Sequence, residues 1–262
     1  MRAPDTTSDT ALLIEAAALA GEIALRYFRV DHRVWDKADG AGPVTEADLA
    51  VDAMLRSHLI GARPGYGWLS EETADDAARL DAERCFIIDP IDGTRAFISG
   101  EVTWAHSLAV AEAGRVVAAV VAMPAKKAVY AAARGAGATR NGKPLHVSAA
   151  AGPDDVTIVT ARPNLAPHLW PGGLPRHARH YRPSLAYRLA LVGEGRYDAM
   201  VTFRDTWEWD IAAGALIVEE AGGTVTDRLG APLRFNTPGR LAAGTLAANP
   251  ALHHGLIQRI LS

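Results

Sequence analysis

Apolar residues recur at positions 12, 13, 16, 19, 20, 23, 27 and 28, the spacing of one helical face. Ser8 or Asp9 stands where an N-cap belongs, so the pattern predicts a helix from there to about Arg29. A polar connection rich in Asp and Gly, Asp31 to Pro43, leads to a second helix that starts at Thr45 and turns Leu49, Met54, Leu55 and Leu59 inward. After the Gly/Pro segment 61–67 and a charged stretch, the run C-F-I-I-D at 85–89 has the continuous apolar character of a buried strand. Residues 105–122 form two strands joined at Gly114, the second carrying the β-branched run Val116–Val121. Asn141-Gly142 is the dipeptide of a type I′ hairpin, whose two central residues need positive φ.

Small residues and a proline at Ala149–Pro153 suggest a boundary between a first half, 1–148, and a second, 149–262, within one compact catalytic unit. The second half continues with a strand at 156–160, an irregular Pro/His/Arg segment at 162–183 and a helix from Ser184 to about Glu194. A short strand near 198–203, a helix at about 210–221, a hairpin over 224–235 and a last helix over 250–261 complete it. Strands arrive in adjacent pairs with helices between the groups, which predicts a layered α+β fold rather than a strict βαβ parallel sheet. No repeat of 20–50 residues is present.

Composition narrows the function classes. The chain has 262 residues, 49% of them apolar and 22% charged, enough to bury a sizeable core and unlike a disordered chain. Lys plus Arg number 27 against 30 acids, so no strong positive field exists to hold a nucleic-acid polymer or an anionic membrane. A single cysteine, Cys85, excludes an internal disulfide and any multi-cysteine metal site. The polar start and the charges Glu15 and Glu22 in the first apolar stretch exclude a signal peptide and a membrane span there, and a soluble, cytoplasmic setting is expected.

Four acidic segments carry the candidate chemistry: G-P-V-T-E-A-D at 42–48, W-L-S-E-E-T at 68–73, D-P-I-D-G-T at 89–94 and W-E-W-D-I-A-A-G at 207–214. The third is the most informative. Asp89 ends an apolar strand, Pro90 removes a ladder donor, and Asp92-Gly93 turns the chain. Two carboxylates three residues apart, with the Ile91 carbonyl between them, make an all-oxygen claw for a hard cation, and Gly93-Thr94 opens a helix whose first N–H groups favour an anion. Each segment also has a plain structural reading: an Asp-Gly turn capped by Thr94, a capping box at Thr45-x-x-Asp48, a solvated Glu71-Glu72 pair, and Asp210 as an acid in a first helical turn. Their joint occurrence favours bound metal, because acids gathered without a cation repel one another.

The remaining candidates are blander. His177, His180, His253 and His254 form no metal-ligand pattern, Cys85 is a core thiol, and Gly135-Ala-Gly137 lacks the lysine and helix of a phosphate loop. The arginine-rich stretch 176–188 is either a receptor for an anionic substrate or a solvated loop.

In this order the four segments resemble those of the inositol-monophosphatase-like family of Mg²⁺-dependent, lithium-sensitive phosphatases, with D-P-[ILV]-D-G-T matched at Asp89–Thr94 and W-D-x-A-A-G at Trp209–Gly214. The resemblance runs from Lys37 to Gly222-Gly223 and implies an αβαβα sandwich, a homodimer and two to three Mg²⁺ ions. It implies that Glu71, Asp89 and the Ile91 carbonyl hold a first ion, that Asp89, Asp92 and Asp210 hold a second, and that Glu71 contacts a looser third. Thr94 and Asp48 would relay a proton from the attacking water, and Lys37, Gly93, Ser184 and Phe203, with Asp92, Thr94 and Asp210, would face the substrate, a small phosphorylated metabolite.

Two departures bear on substrate. Gly42 stands where inositol phosphatases often carry an acid, and Phe203 stands where they carry a substrate-binding glutamate. The segments Pro43–Thr45, Leu69–Glu72 and Asp92–Ile98, with Phe203 and Thr206, look like the branch that acts on 3′(2′),5′-bisphosphate nucleotides. There Phe203 would stack on adenine, and Arg162, Arg182, Arg188 and Arg204 are the candidates for a second phosphate. Histidinol-phosphate phosphatases share D-G-T-x-x-F-I, and a non-catalytic metal- or sugar-phosphate-binding regulator on this fold is the alternative of another class; Asp48 and Thr94 together speak against the latter.

Overall fold

A computed structural model of the chain describes residues 6–31, 33–36 and 42–262, with side chains from residue 8 onward. The helices are α1 (Thr6–Tyr27), α2 (Glu46–Ala62), α3 (Thr94–Ile98), α4 (Leu185–Gly193), α5 (Glu208–Glu220) and α6 (Pro250–Leu261). A seven-stranded sheet runs in chain order through β1 (Gly67–Ser70), β2 (Arg84–Asp92), β3 (Ala105–Glu112), β4 (Arg115–Met123), β5 (Ala128–Ala133), β6 (Gly137–Arg140) and β7 (Lys143–Pro144). A five-stranded sheet is built from β8 (Val156–Val159), β9 (His177–His180), β10 (Ala199–Thr202), β11 (Thr224–Thr226) and β12 (Thr245–Ala248), in the order β9-β8-β10-β12-β11.

Strand alternation sorts the core into layers. On β2, Phe86 and Ile88 join Leu13, Ala20, Val51 and Leu55 under α1 and α2, while Cys85 and Ile87 face α4 and α5. Those two helices lie between the sheets: their apolar residues also meet Val159, Met200 and Ala247 of the smaller sheet. Trp170, Leu252 and Leu256 cover that sheet's other face. The layers are therefore αβαβα, as the resemblance implies, and the middle core draws on both sides of the boundary near 149. At Gly214 a Cβ would stand 2.5 Å from Leu189 Cβ, so α5 can lie this close to α4 only with glycine there. No helix among the described residues is long and apolar enough to cross a membrane.

Four local expectations change. Asp9 is not a cap: α1 starts earlier, and Asp9 sits inside it, fully buried against Arg84 and Arg63. Leu49 is 42% exposed, because the buried face of α2 runs through Ala47, Asp48, Val51, Asp52, Leu55 and Leu59. Residues 177–180, read as irregular, form edge strand β9 parallel to β8. The segment 224–235 is not a hairpin, since β11 pairs with β12 and only a Thr226–Pro232 bridge remains.

Candidate metal centre

The D-P-I-D-G-T segment is shaped by its backbone. β1 runs parallel to β2 and places Ser70 opposite Ile88, so Glu71 leaves the sheet beside Asp89, its N–H donating to the Ile88 carbonyl at 3.2 Å. Between Asp89, opposite Ser107, and Asp92, opposite Ala105, β2 carries one residue more than β3. This bulge falls at Pro90, which has no N–H to lose, and it re-aims the two carboxylates. Two side chains of β3 fix the local backbone: His106 Nδ1 donates to the Pro90 carbonyl, and Ser107 Oγ donates to the Trp209 carbonyl at 2.8 Å, next to Asp210.

Glu71, Asp89 and Asp210 each bring one carboxylate oxygen within 4.8 Å of the others. Asp89 is 1% exposed, and its Oδ1 has no hydrogen-bond partner. Burial, and then the charges of Glu71, Asp92, Asp210 and Glu72, push its pKa well above the usual carboxylate range. An orphaned oxygen among like charges fits a bound cation, and an all-oxygen donor set fits a hard one. Asp92 is pushed from 3.8 up to about 6 by burial, against the opposing hydrogen bonds that Ser184 Oγ (2.6 Å) and the Ala186 N–H (2.7 Å) donate to its Oδ2. Ser184, the N-cap of α4, thus reaches the site through Asp92.

Asp48 is buried, with its two oxygens in different surroundings. The Thr45 N–H (2.8 Å) and hydroxyl (2.5 Å) donate to Oδ2 in the capping box of α2, while Thr94 Oγ1 stands 3.5 Å from Oδ1 and 3.2 Å from the Ile91 carbonyl. The capping box of α2 is thus formed, with Thr94 beside the second oxygen of Asp48. Gly93, at φ 93°, supplies the left-handed turn that brings Thr94 there.

A cleft of about 390 Å³ opens on these groups, walled by Pro43, Tyr181, Pro183, Trp207 and Trp209 and rimmed by Arg95, Arg204 and Arg240. The structure brings together Glu71, Asp89, Asp92, Gly93, Thr94 and Asp210. Phe203 does not join them: it lies two residues beyond Val201 on the same face, and its ring packs edge-on to Trp170 at 5.6 Å in the outer core. Of the four arginines considered for a second phosphate, Arg204 lines the cleft, while Arg188 is buried and donates to the carbonyls of Arg182 and Pro183. Arg182 lines a neighbouring recess, and Arg162 lies by His177 and Arg179. Lys37 lies outside the described residues.

Sequence reasoning missed Arg95, Trp207 and Arg240. The first two sit inside the quoted motifs and could have been found; Arg240 reaches the rim only because residues 241–242 pair with 206–207, and its guanidinium lies 5.5 Å from the Trp207 ring centre. Cys85 is buried, and burial pushes its thiol up to about 12, which fits a core thiol rather than a nucleophile.

The model of the inositol monophosphatase family matches residues 5–261. Among curated proteins, an inositol-1-monophosphatase of Rhizobium meliloti (strain 1021) is 34% identical over 84% of this chain and 85% of its own length. A histidinol-phosphatase of Chlorobaculum parvum is 34% identical over 97% of both chains. Among solved structures, the extragenic suppressor protein SuhB from Bartonella henselae superposes with a TM-score of 0.83 at 29% identity, covering 97% of this chain and 99% of its own. An IMPase from Thermotoga maritima gives 0.82 at 29% identity, over 97% and 96%.

Proposed function

Because the chain belongs to the inositol monophosphatase family, a family of metal-dependent phosphoric monoester hydrolases, we propose that it uses Mg²⁺ and water to hydrolyse a small phosphorylated metabolite. The observation that carries this reading is the convergence of Glu71, Asp89 and Asp210 around a buried, unpartnered carboxylate oxygen. Glu71, Asp89 and the Ile91 carbonyl would hold one ion, and Asp89, Asp92 and Asp210 another. Bound Mg²⁺ makes a water a better nucleophile near neutral pH and neutralises charge on the phosphoryl oxygens.

The chain's own groups then handle the proton. As the water oxygen bonds to phosphorus and the P–O ester bond breaks, Thr94 Oγ1 would accept the water's proton and pass its own to Asp48 Oδ1, which its partners at Oδ2 hold in place, while the ester oxygen leaves with the bond's electron pair and takes a proton from solvent water. Asp92, fixed by Ser184 and Ala186, keeps its charge toward the cleft.

For the substrate we infer a metabolite with a second phosphate, such as adenosine 3′,5′-bisphosphate. Its support is the rim of Arg95, Arg204 and Arg240 around a cleft already supplied with a cation site, since one phosphoryl group does not need both. With Phe203 in the outer core, the adenine platform would fall to Tyr181, which is 48% exposed at that rim. Inositol 1-phosphate and histidinol phosphate are the competing substrates, favoured by the names of the relatives. Phosphate release from all three esters, with Mg²⁺ and with chelator, tests both levels. No Mg²⁺-dependent release from any of them would overturn the activity. A tenfold preference for inositol 1-phosphate or histidinol phosphate would overturn the substrate alone.

A further inference from the structure

We propose that Asp52 is a positioning residue for the cation site, tethering Glu71 and Glu72 through the hydroxyls on either side of them; this rests on the reading that Glu71 holds a cation. Asp52 lies four residues after Asp48, so both carboxylates leave the same face of α2. It is buried, 7% exposed, and among the described residues no Lys, Arg or His forms an ion pair with it. Its partners are neutral: Ser70 Oγ donates to Oδ1 at 2.5 Å and Thr73 Oγ1 donates to Oδ2 at 2.6 Å.

An ionised carboxylate can only accept, so both hydroxyls must point their protons at Asp52 and turn their lone pairs back to the loop. The acceptors so exposed are used. Ser70 Oγ receives the Glu72 N–H at 3.4 Å, and Thr73 Oγ1 receives the Trp68 indole N–H at 3.3 Å. The loop is thus pinned immediately before Glu71 and immediately after Glu72. Ser70 is also the last residue of β1 paired to β2, so the tether acts where the chain leaves the sheet beside Asp89.

The tether has a task that no interaction of Glu71 with the other acids can perform. Glu71 and Asp89 are like charges within reach of one another, and the hydrogen bonds of Ser70 and Thr73 to Asp52 resist the separation that their repulsion favours. A site whose ligands are held in place by outer hydrogen bonds binds its ion more tightly, and losing such partners typically weakens metal binding about 10- to 100-fold. Asp52 and Asp48 also ride on one helix, so the acid loop and the proposed proton acceptor share a rigid support.

The test is a calorimetric Mg²⁺ titration without substrate, alongside amide hydrogen exchange of Glu72 and Thr73 in chelator. Asp52→Asn cannot accept from both hydroxyls through equivalent oxygens. It should weaken Mg²⁺ binding about tenfold or more and speed exchange at Glu72. The pair Ser70→Ala/Thr73→Val should do the same, and adding Asp52→Asn to that pair should change little, as members of one network are not additive. If Asp52→Asn fails to fold, the hydroxyl pair carries the test alone. Mg²⁺ affinity within twofold of wild type in the folded variants, or losses that add in full, would overturn the tether. Unchanged Mg²⁺ binding by Glu71→Gln would overturn the proposal at its premise, and marks that failure as one of the cation reading rather than of Asp52.

Discussion

Asp9 and Asp89 are equally hidden, at 0% and 1% exposure, yet their surroundings are opposite. Asp9 receives Arg84 Nη1 at 2.6 Å, the Tyr66 hydroxyl at 3.0 Å and Arg63 Nε at 3.1 Å, and Arg84 reaches on to Glu112 at 2.9 Å. Asp89 faces Glu71, Asp92, Glu72 and Asp210, and one of its oxygens has no partner. Burial alone therefore says little about role. A buried carboxylate inside a closed set of donors ties α1 to β2, whereas one inside a set of acids has the surroundings that would suit a cation.

The contrast is broken most directly at Asp89. Asp89→Asn removes a charge from both proposed cation sites, so turnover at saturating Mg²⁺ should fall by orders of magnitude. The same change relieves repulsion, so thermal unfolding in chelator should come at the wild-type temperature or above it. Near-normal phosphate release by this variant would overturn the assignment of the site.

Asp9 should respond in the reverse sense. Asp9→Ala leaves Arg84, 2% exposed, without its buried partner, a loss that typically costs about 3–5 kcal/mol. Urea unfolding should show that loss, while turnover per folded molecule stays near wild type. A change below about 1 kcal/mol would mean that the pair behaves like a surface ion pair.

Mg²⁺ itself separates the two regions. An ion that binds only the folded state adds about 2.7 kcal/mol at a concentration 100 times its Kd. Thermal unfolding with and without Mg²⁺ should show this gain in wild type and Asp9→Ala, and a much smaller one in Asp89→Asn. An equal gain in all three would place the ion elsewhere.

What could be read in the sequence follows from the range of the interactions. The D-P-I-D-G-T segment is legible because its bulge, its turn and its two acids lie within six consecutive residues. Asp9 looks like a cap in the sequence because its defining partner, Arg84, is 75 residues away. Phe203 is hard to place for a related reason: position alone does not tell which face of β10 it continues, and its ring meets Trp170 in the outer core. The 224–235 segment has local turn chemistry, but β12 captures its first strand. Asp52 gave no signal beyond its i, i+4 relation to Asp48, because its partners lie in another segment.

His106 adds a third kind of buried group to the comparison, one kept neutral. It is 0% exposed, its Nδ1 proton is committed to the Pro90 carbonyl, Trp104 packs edge-on at 5.5 Å, and Nε2 has no partner to share a second proton. Burial outweighs that hydrogen bond and pushes its pKa from 6.5 down to about 4. Between those values the unfolded chain binds a proton that the folded one refuses, so the contribution of His106 to stability is full above pH 6.5 and is lost as the pH falls toward 4. One proton limits the slope to about 1.4 kcal/mol per pH unit. His106→Asn keeps an N–H donor near the Pro90 carbonyl and cannot titrate. His253, lowered by burial, and Asp89 and Asp92, raised by it, contribute their own slopes in both proteins, so the difference between the two reports His106. Chemical unfolding at steps between pH 7 and pH 5 should give a shallower loss for the variant. Identical slopes would show that the folded protein admits the proton, and that this part of the β3 support is wet rather than sealed.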